Sequence, residues 1–207
     1  DYHVNEVYHH REVAQEETHV SAHVEAALWK MQINLRHFIG HTLYHKEDLP
    51  FPIRDIPDAF SVFKKKTERE SAIRPELGRP ARVQVPENIQ TSDIPSLQEL
   101  GFSAAETRSA SQLAFEGGEA AALAQMHALL SGDDPLADYS RLSPYIAIGA
   151  LSPNTLYHAV KHSENIRPDK KRLEQLILKL LWRDYYRFMF KKHGNRFFRA
   201  GGLTDKA

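Results

Sequence analysis

Apolar and polar residues alternate at the start of the chain: Val4, Glu6, Val7, Tyr8, then His9 and His10. A period of two predicts a strand. Glu12, Glu16 and Glu17 follow. Thr18 or Ser21 is placed to cap a helix that carries Val24, Ala27, Leu28 and Met31 on one face. Ile33, Leu35, Phe38 and Ile39 predict a second strand ending at Gly40. Strand, helix and strand in that order make a βαβ unit with parallel strands.

From Pro50 the pattern changes. Seven prolines between Pro50 and Pro95 interrupt any period, because each lacks a backbone donor. One short helix near 57–67 is predicted, with Pro57 in its first turn and Phe60 and Phe63 behind it. The stretch from Thr67 to about Ser96 reads as a long surface connection. Ser96 and Glu99 have capping-box spacing. Beyond them the period becomes helical. Gly117-Gly118 opens a segment with Ala120, Leu123, Met126 and Leu130, and Ser131-Gly132 closes it. Ser152-Pro153 starts another helix. The clearest helix is Asp169 to Lys192, with Leu173, Leu176, Ile177, Leu180, Leu181 and Phe188 in one stripe and Trp182, Tyr186 and Met189 widening it. So wide an apolar surface predicts a mostly buried helix. The expected organisation is an α/β unit over 1–49, a connecting segment over 50–112 and an all-α region over 113–207.

Composition fits a globular chain. Of 207 residues, 42% are hydrophobic and 26% charged, so the apolar content suffices to offset the entropy of ordering. No apolar run is long enough to span a bilayer. With no cysteine, disulfides, thiolate nucleophiles and Cys-based metal centres are excluded. The chain opens at Asp1, without Met, which suits either removal of a targeting segment or a portion of a longer product.

The zero net charge conceals two unlike halves. Residues 1–60 carry ten acids and five bases, whereas residues 169–200 carry three acids and ten bases. In the second set, Trp182-Arg183-Asp184-Tyr185-Tyr186-Arg187-Phe188 is the most distinctive string. Rings beside arginines can stack on bases or on a flavin while the arginines bind phosphate. Periodicity by itself favours a core helix with a wet basic face. His41 and His45, or His9 and His10, form no complete zinc ligand set. Gly117-Gly118-Glu119 lacks the Gly-Lys-Ser/Thr end of a P-loop, and no serine sits in a nucleophile elbow.

The string Ser140-Arg141-Leu142-Ser143-Pro144-Tyr145-Ile146-Ala147-Ile148-Gly149-Ala150-Leu151-Ser152-Pro153 resembles the flavin-phosphate segment of photolyases and cryptochromes. Trp182 to Phe188, followed by Lys192-His193-Gly194-Asn195-Arg196-Phe197, is similar to the next helix of that family. Thr42 to Phe51 and Ile56 to Lys64 are similar to the DASH-type branch. The order and spacing fit nearly the whole chain. The resemblance implies the end of an α/β antenna domain, an interdomain linker and the first helices of an FAD-binding domain. It further implies FAD, blue-light excitation, and electron transfer to damaged DNA or into signalling. Ser140, Arg141, Leu142 and Ser143 would touch the flavin phosphates, Arg183 would lie beside the flavin, and Trp182 would face the lesion pocket.

The chain departs from the family in four ways. Leu130 to Tyr139 is shorter than the family's loop. Lys179 stands three before Trp182, where repair members carry a lesion-contacting Glu, and a cation cannot replace a carboxylate acceptor. Asn154 replaces an Arg after Ser-Pro. The later helices of the flavin cavity lie beyond Ala207. The expectation is therefore a degenerate, non-catalytic homologue with FAD lost or incomplete. It would act as an interaction or scaffold subunit of a larger complex in a chloroplast or mitochondrion. The alternative is a piece of an FAD-dependent photolyase or photoreceptor, with DNA as partner only if that activity is kept.

Overall fold

The computed structural model describes residues 3–78, 80–85, 89, 93–111, 115–132, 139–164 and 170–203. Most of the shortened loop before Tyr139, part of the Pro-rich connection and Asp169 lie outside the described residues. The protein is mostly helical, with one small parallel sheet of two strands.

Strand β1 (Glu6–His10), helix α1 (Gln15–Lys30) and strand β2 (Asn34–Phe38) come first. The strands pair in parallel, with Val7 opposite Leu35 and His9 opposite His37. Strand geometry sends alternate side chains to opposite faces. Val7, His9, Leu35 and His37 are half-buried beneath α1, whereas Tyr8, Arg36 and Phe38 are exposed on the other side. Helix α1 begins earlier than the capping signals predict. Its N-cap is Ala14, and Thr18 sits inside the first turn, donating to the carbonyls of Ala14 and Gln15. No residue of α1 is buried, so its Val24, Ala27 and Leu28 face remains largely open. A two-stranded sheet is too narrow to cover it.

Helix α2 (Phe60–Glu70) buries Phe63 and Thr67. It starts three residues after Pro57, which therefore belongs to the approach rather than to the first turn. Ser96 and Glu99 form their reciprocal bonds, but around a turn. The true helix start is the second such box: Ser103 and Glu106 bond each other's backbone N–H at the head of α3 (Ala104–Ser111). Capping chemistry is local, so both boxes close, but only the second is followed by a run that continues as helix.

Helices α4 (Glu119–Ser131), α5 (Tyr139–Ile148), α6 (Pro153–Glu164) and α7 (Lys170–His193) carry the core. Gly118 (φ 93°) and Gly132 (φ 70°) bracket α4 in left-handed conformations that favour glycine. Pro153 takes the first position of α6, where its missing N–H costs no bond. The α7 stripe of Leu173, Leu176, Leu180, Leu181 and Phe188 meets Phe63 of α2, Leu142 and Ile146 of α5, Leu156 and Val160 of α6, and Met126 of α4 in one buried cluster. Each such side chain contributes roughly 1.5–3 kcal/mol of burial.

Candidate functional site

Helix α7 is where the candidate residues converge, and its polar side chains fasten the segment that follows β2. Asp184 is fully buried. Its two carboxylate oxygens accept the backbone N–H groups of Leu43, at 3.0 Å, and Tyr44, at 2.8 Å. Polar residues before and after it complete the clamp. Arg183 donates to the carbonyl of His41 and, at 3.3 Å, to that of Ile146 in α5. The Tyr185 hydroxyl donates to the carbonyl of Asp58. Lys192 donates to the Ile56 carbonyl and to the Asp58 carboxylate, both at 2.6 Å. Arg187 pairs with Glu12, and Asn195, in the turn that follows α7, bonds Gln15, so the end of α7 and that turn also hold the start of α1.

Burial sets the protonation of this clamp. Removal from water pushes the Asp184 carboxyl up to about 7, although the two N–H donors and the nearby arginines pull the other way. Burial pushes the His41 imidazole down to about 3, and the Arg187 and Arg183 charges add to it, so the ring is neutral. The Arg183 guanidinium is itself lowered, first by burial and then by the Arg187 charge.

The Trp182 ring lies against Phe60 of α2, stacked with centroids 3.5 Å apart and planes at 13°. Tyr186 stacks on it at 5.5 Å, and Tyr185 meets it edge-on at 5.8 Å. These rings, with Met189, His193 and Phe197, line a cleft of about 530 Å³. Lys179 is exposed, and its ammonium sits 5.3 Å from the centre of the Tyr139 ring. On the first turn of α5, Ser140 and Ser143 are exposed and Arg141 is half-buried, whereas the Leu142 side chain is wholly inside the core. Lys179–Tyr139 and Arg183–Ile146 link α7 to α5, whereas the Trp182 ring is turned to Phe60, Tyr185 and Tyr186. Asp184 is the residue that sequence reasoning missed. Its signal was an acid in register with the apolar stripe, one turn after Leu180.

A family model described as DNA photolyase matches residues 1–86. A cryptochrome DASH of Synechocystis sp. is 37% identical over 97% of this chain and 44% of its own length. The crystal structure of a Synechocystis cryptochrome superposes with a TM-score of 0.82 at 36% identity, over 98% of this chain and 45% of that one. The chain belongs to the photolyase/cryptochrome family. Within it the DASH-type relatives extend to plants: one of rice, called chloroplastic/mitochondrial, is 33% identical over 95% of this chain and 39% of its own length. The chain spans less than half the length of these relatives.

Photolyases and cryptochromes bind FAD, and the residues here meet that group only in part. The first turn of α5 suits a phosphate: backbone N–H groups, two exposed serines and Arg141 stand together. The Leu142 side chain has no access to such a ligand, so only its backbone could serve. The Arg183 guanidinium is engaged by two carbonyls, and neither the cleft beside Trp182 nor the one beside α1 is lined by Ser140, Arg141, Ser143 or Arg183.

Proposed function

We propose that this chain is a non-catalytic member of the photolyase/cryptochrome family, working as an interaction or scaffold subunit of a larger, organellar assembly. One observation carries the reading. At the positions implied to face flavin and lesion, the Arg183 guanidinium is spent on the carbonyls of His41 and Ile146, and the Trp182 ring is spent on Phe60. Both side chains join segments of the chain. Lys179, where a lesion-contacting carboxylate would stand, lies over Tyr139 as a cation. In this reading residues 1–49 are the end of an α/β antenna domain, 50–112 the interdomain linker and 113–207 the beginning of the helical domain.

The surface agrees with a partner-binding role. Tyr8 and Phe38 stand ring against ring on the sheet face away from α1, both more than half exposed. Large apolar groups clustered on one region mark interaction surfaces. No helix among the described residues is long and apolar enough to cross a membrane.

A second reading, an FAD-binding photoreceptor or photolyase, is favoured by the exposed Ser140 and Ser143 on the α5 turn. Absorbance of the full-length protein purified from its source separates the two. Colourless protein eluting in a large complex is expected. Flavin bands at one flavin per chain would overturn the scaffold reading and establish the second.

A further inference from the structure

His9 and His37 are cross-strand partners in the parallel pair, and both point toward α1. The rings meet edge to face, with His9 Nε2 2.8 Å from His37 Nδ1. A contact of that length holds one hydrogen and one lone pair. The surrounding groups assign the roles. Glu25 of α1 places a carboxylate oxygen 3.7 Å from His37 Nε2, a charge that favours the hydrogen on Nε2 and leaves Nδ1 as the acceptor. His9 Nε2 is then the donor, with the Ser21 hydroxyl of α1 at 3.2 Å from the same nitrogen. His9 Nδ1 is left to take a proton.

The pair therefore accepts one extra proton without strain. That proton sits on His9 Nδ1, and the imidazolium still donates through Nε2 to neutral His37. A second proton goes to His37 Nδ1, and two N–H groups then face each other across the contact. The contact must open. We propose that the His9–His37 pair is a proton-counting latch on the α1–sheet unit, closed with at most one extra proton and opened by the second.

The charges around it do not cancel this effect. Glu25 faces His37 from α1, and Glu12, Glu16 and Glu17 line the groove beside His9. None of them provides an acceptor between the two facing nitrogens. His10 lines the same groove at the end of β1, whereas Glu6 and Arg36 are paired with each other on the opposite side of the sheet. The strands are five residues each and α1 buries no residue, so few other contacts hold the unit shut. Opening would loosen the side-chain bonds that Glu12 and Gln15 at the head of α1 make to Arg187 and Asn195, without unfolding α7 itself.

The test is made on the full chain labelled with ¹⁵N. Side-chain nitrogen signals of His9 and His37, and amide hydrogen exchange of residues 6–10 and 34–38, are followed from about pH 8 to about pH 5, the range in which histidine changes charge. The expected result is two separated proton steps for the pair. Exchange, corrected for its intrinsic pH dependence, stays level through the first step and rises roughly tenfold or more through the second, while α7 amides stay protected. His37→Gln, which keeps a side-chain acceptor but cannot be protonated, should abolish that rise. Independent titration of the two rings, or unchanged exchange across both steps, would overturn the latch. If the variant fails to fold, the titration of the unaltered chain still decides.

Discussion

Asp184 shows how one residue can be both anchor and liability. Its carboxylate satisfies two backbone donors inside the core, and a buried donor left unpaired costs about 1–3 kcal/mol. Asp184→Asn offers only one oxygen to the two N–H groups, so a loss in that range is expected from urea unfolding at neutral pH. The pH dependence should change as well. The folded carboxyl keeps its proton up to about 7, whereas the ordinary value for an aspartate carboxyl is 3.8. Stability from this group is complete below 3.8 and is lost as pH rises toward 7. His41 slopes the other way. Its folded ring stays neutral down to about 3 against an ordinary value of 6.5, so its contribution is complete above 6.5 and is lost as pH falls toward 3. The two slopes oppose each other over their shared window. Asp184→Asn removes one and exposes the other: its urea midpoint should fall on acidification below about pH 6.5, where that of the unaltered chain stays nearly level.

Helices α2 and α7 are joined through rings, and this junction was only half legible in the sequence. Phe63 was recognisable as a core residue on a short helix, and it is fully buried. Phe63→Ala should cost about 3–5 kcal/mol in thermal or chemical unfolding, the usual penalty for emptying a Phe site. Phe60 looked equivalent, one turn earlier, but its use is different: it stacks on Trp182. Phe60→Ala uncovers that indole. The tryptophan emission should shift to longer wavelength, with a smaller loss of stability than Phe63→Ala because Phe60 is only half-buried. At the other extreme, α3 was hidden from periodicity and is marked by its cap alone. Ser103→Ala removes the hydroxyl that meets the Glu106 N–H, which should cost about 1 kcal/mol of local helix stability, read by exchange of the α3 amides.

Across the whole molecule, the zero net charge resolves into complementarity. The acidic first sixty residues meet the basic end of α7 through Glu12–Arg187 and Asp58–Lys192. Arg187 is largely shielded from water, so this pair should matter more than the median surface ion pair. Glu12→Arg places like charges together and should lower the midpoint of thermal unfolding. The double variant Glu12→Arg with Arg187→Glu should recover part of the loss, and added salt should narrow the difference.

The sequence by itself determined what depends on neighbours within a few positions. The two short strands, the stripe that makes α7 a core helix, the proline at the head of α6 and the glycines around α4 all follow from period and local backbone chemistry. Its string of motifs was long and ordered enough to point to the family. Tertiary structure alone decided what depends on residues far apart in the chain. It placed Asp184 under Leu43 and Tyr44, turned Arg183 onto two carbonyls, and covered Trp182 with Phe60. It also left α1 without a buried face, because a helix becomes buried only if the sheet beneath it is wide enough. Burial and hydrogen-bond partners are properties of the assembled chain, and they decide whether an Arg, an Asp or a Trp is free to meet a ligand.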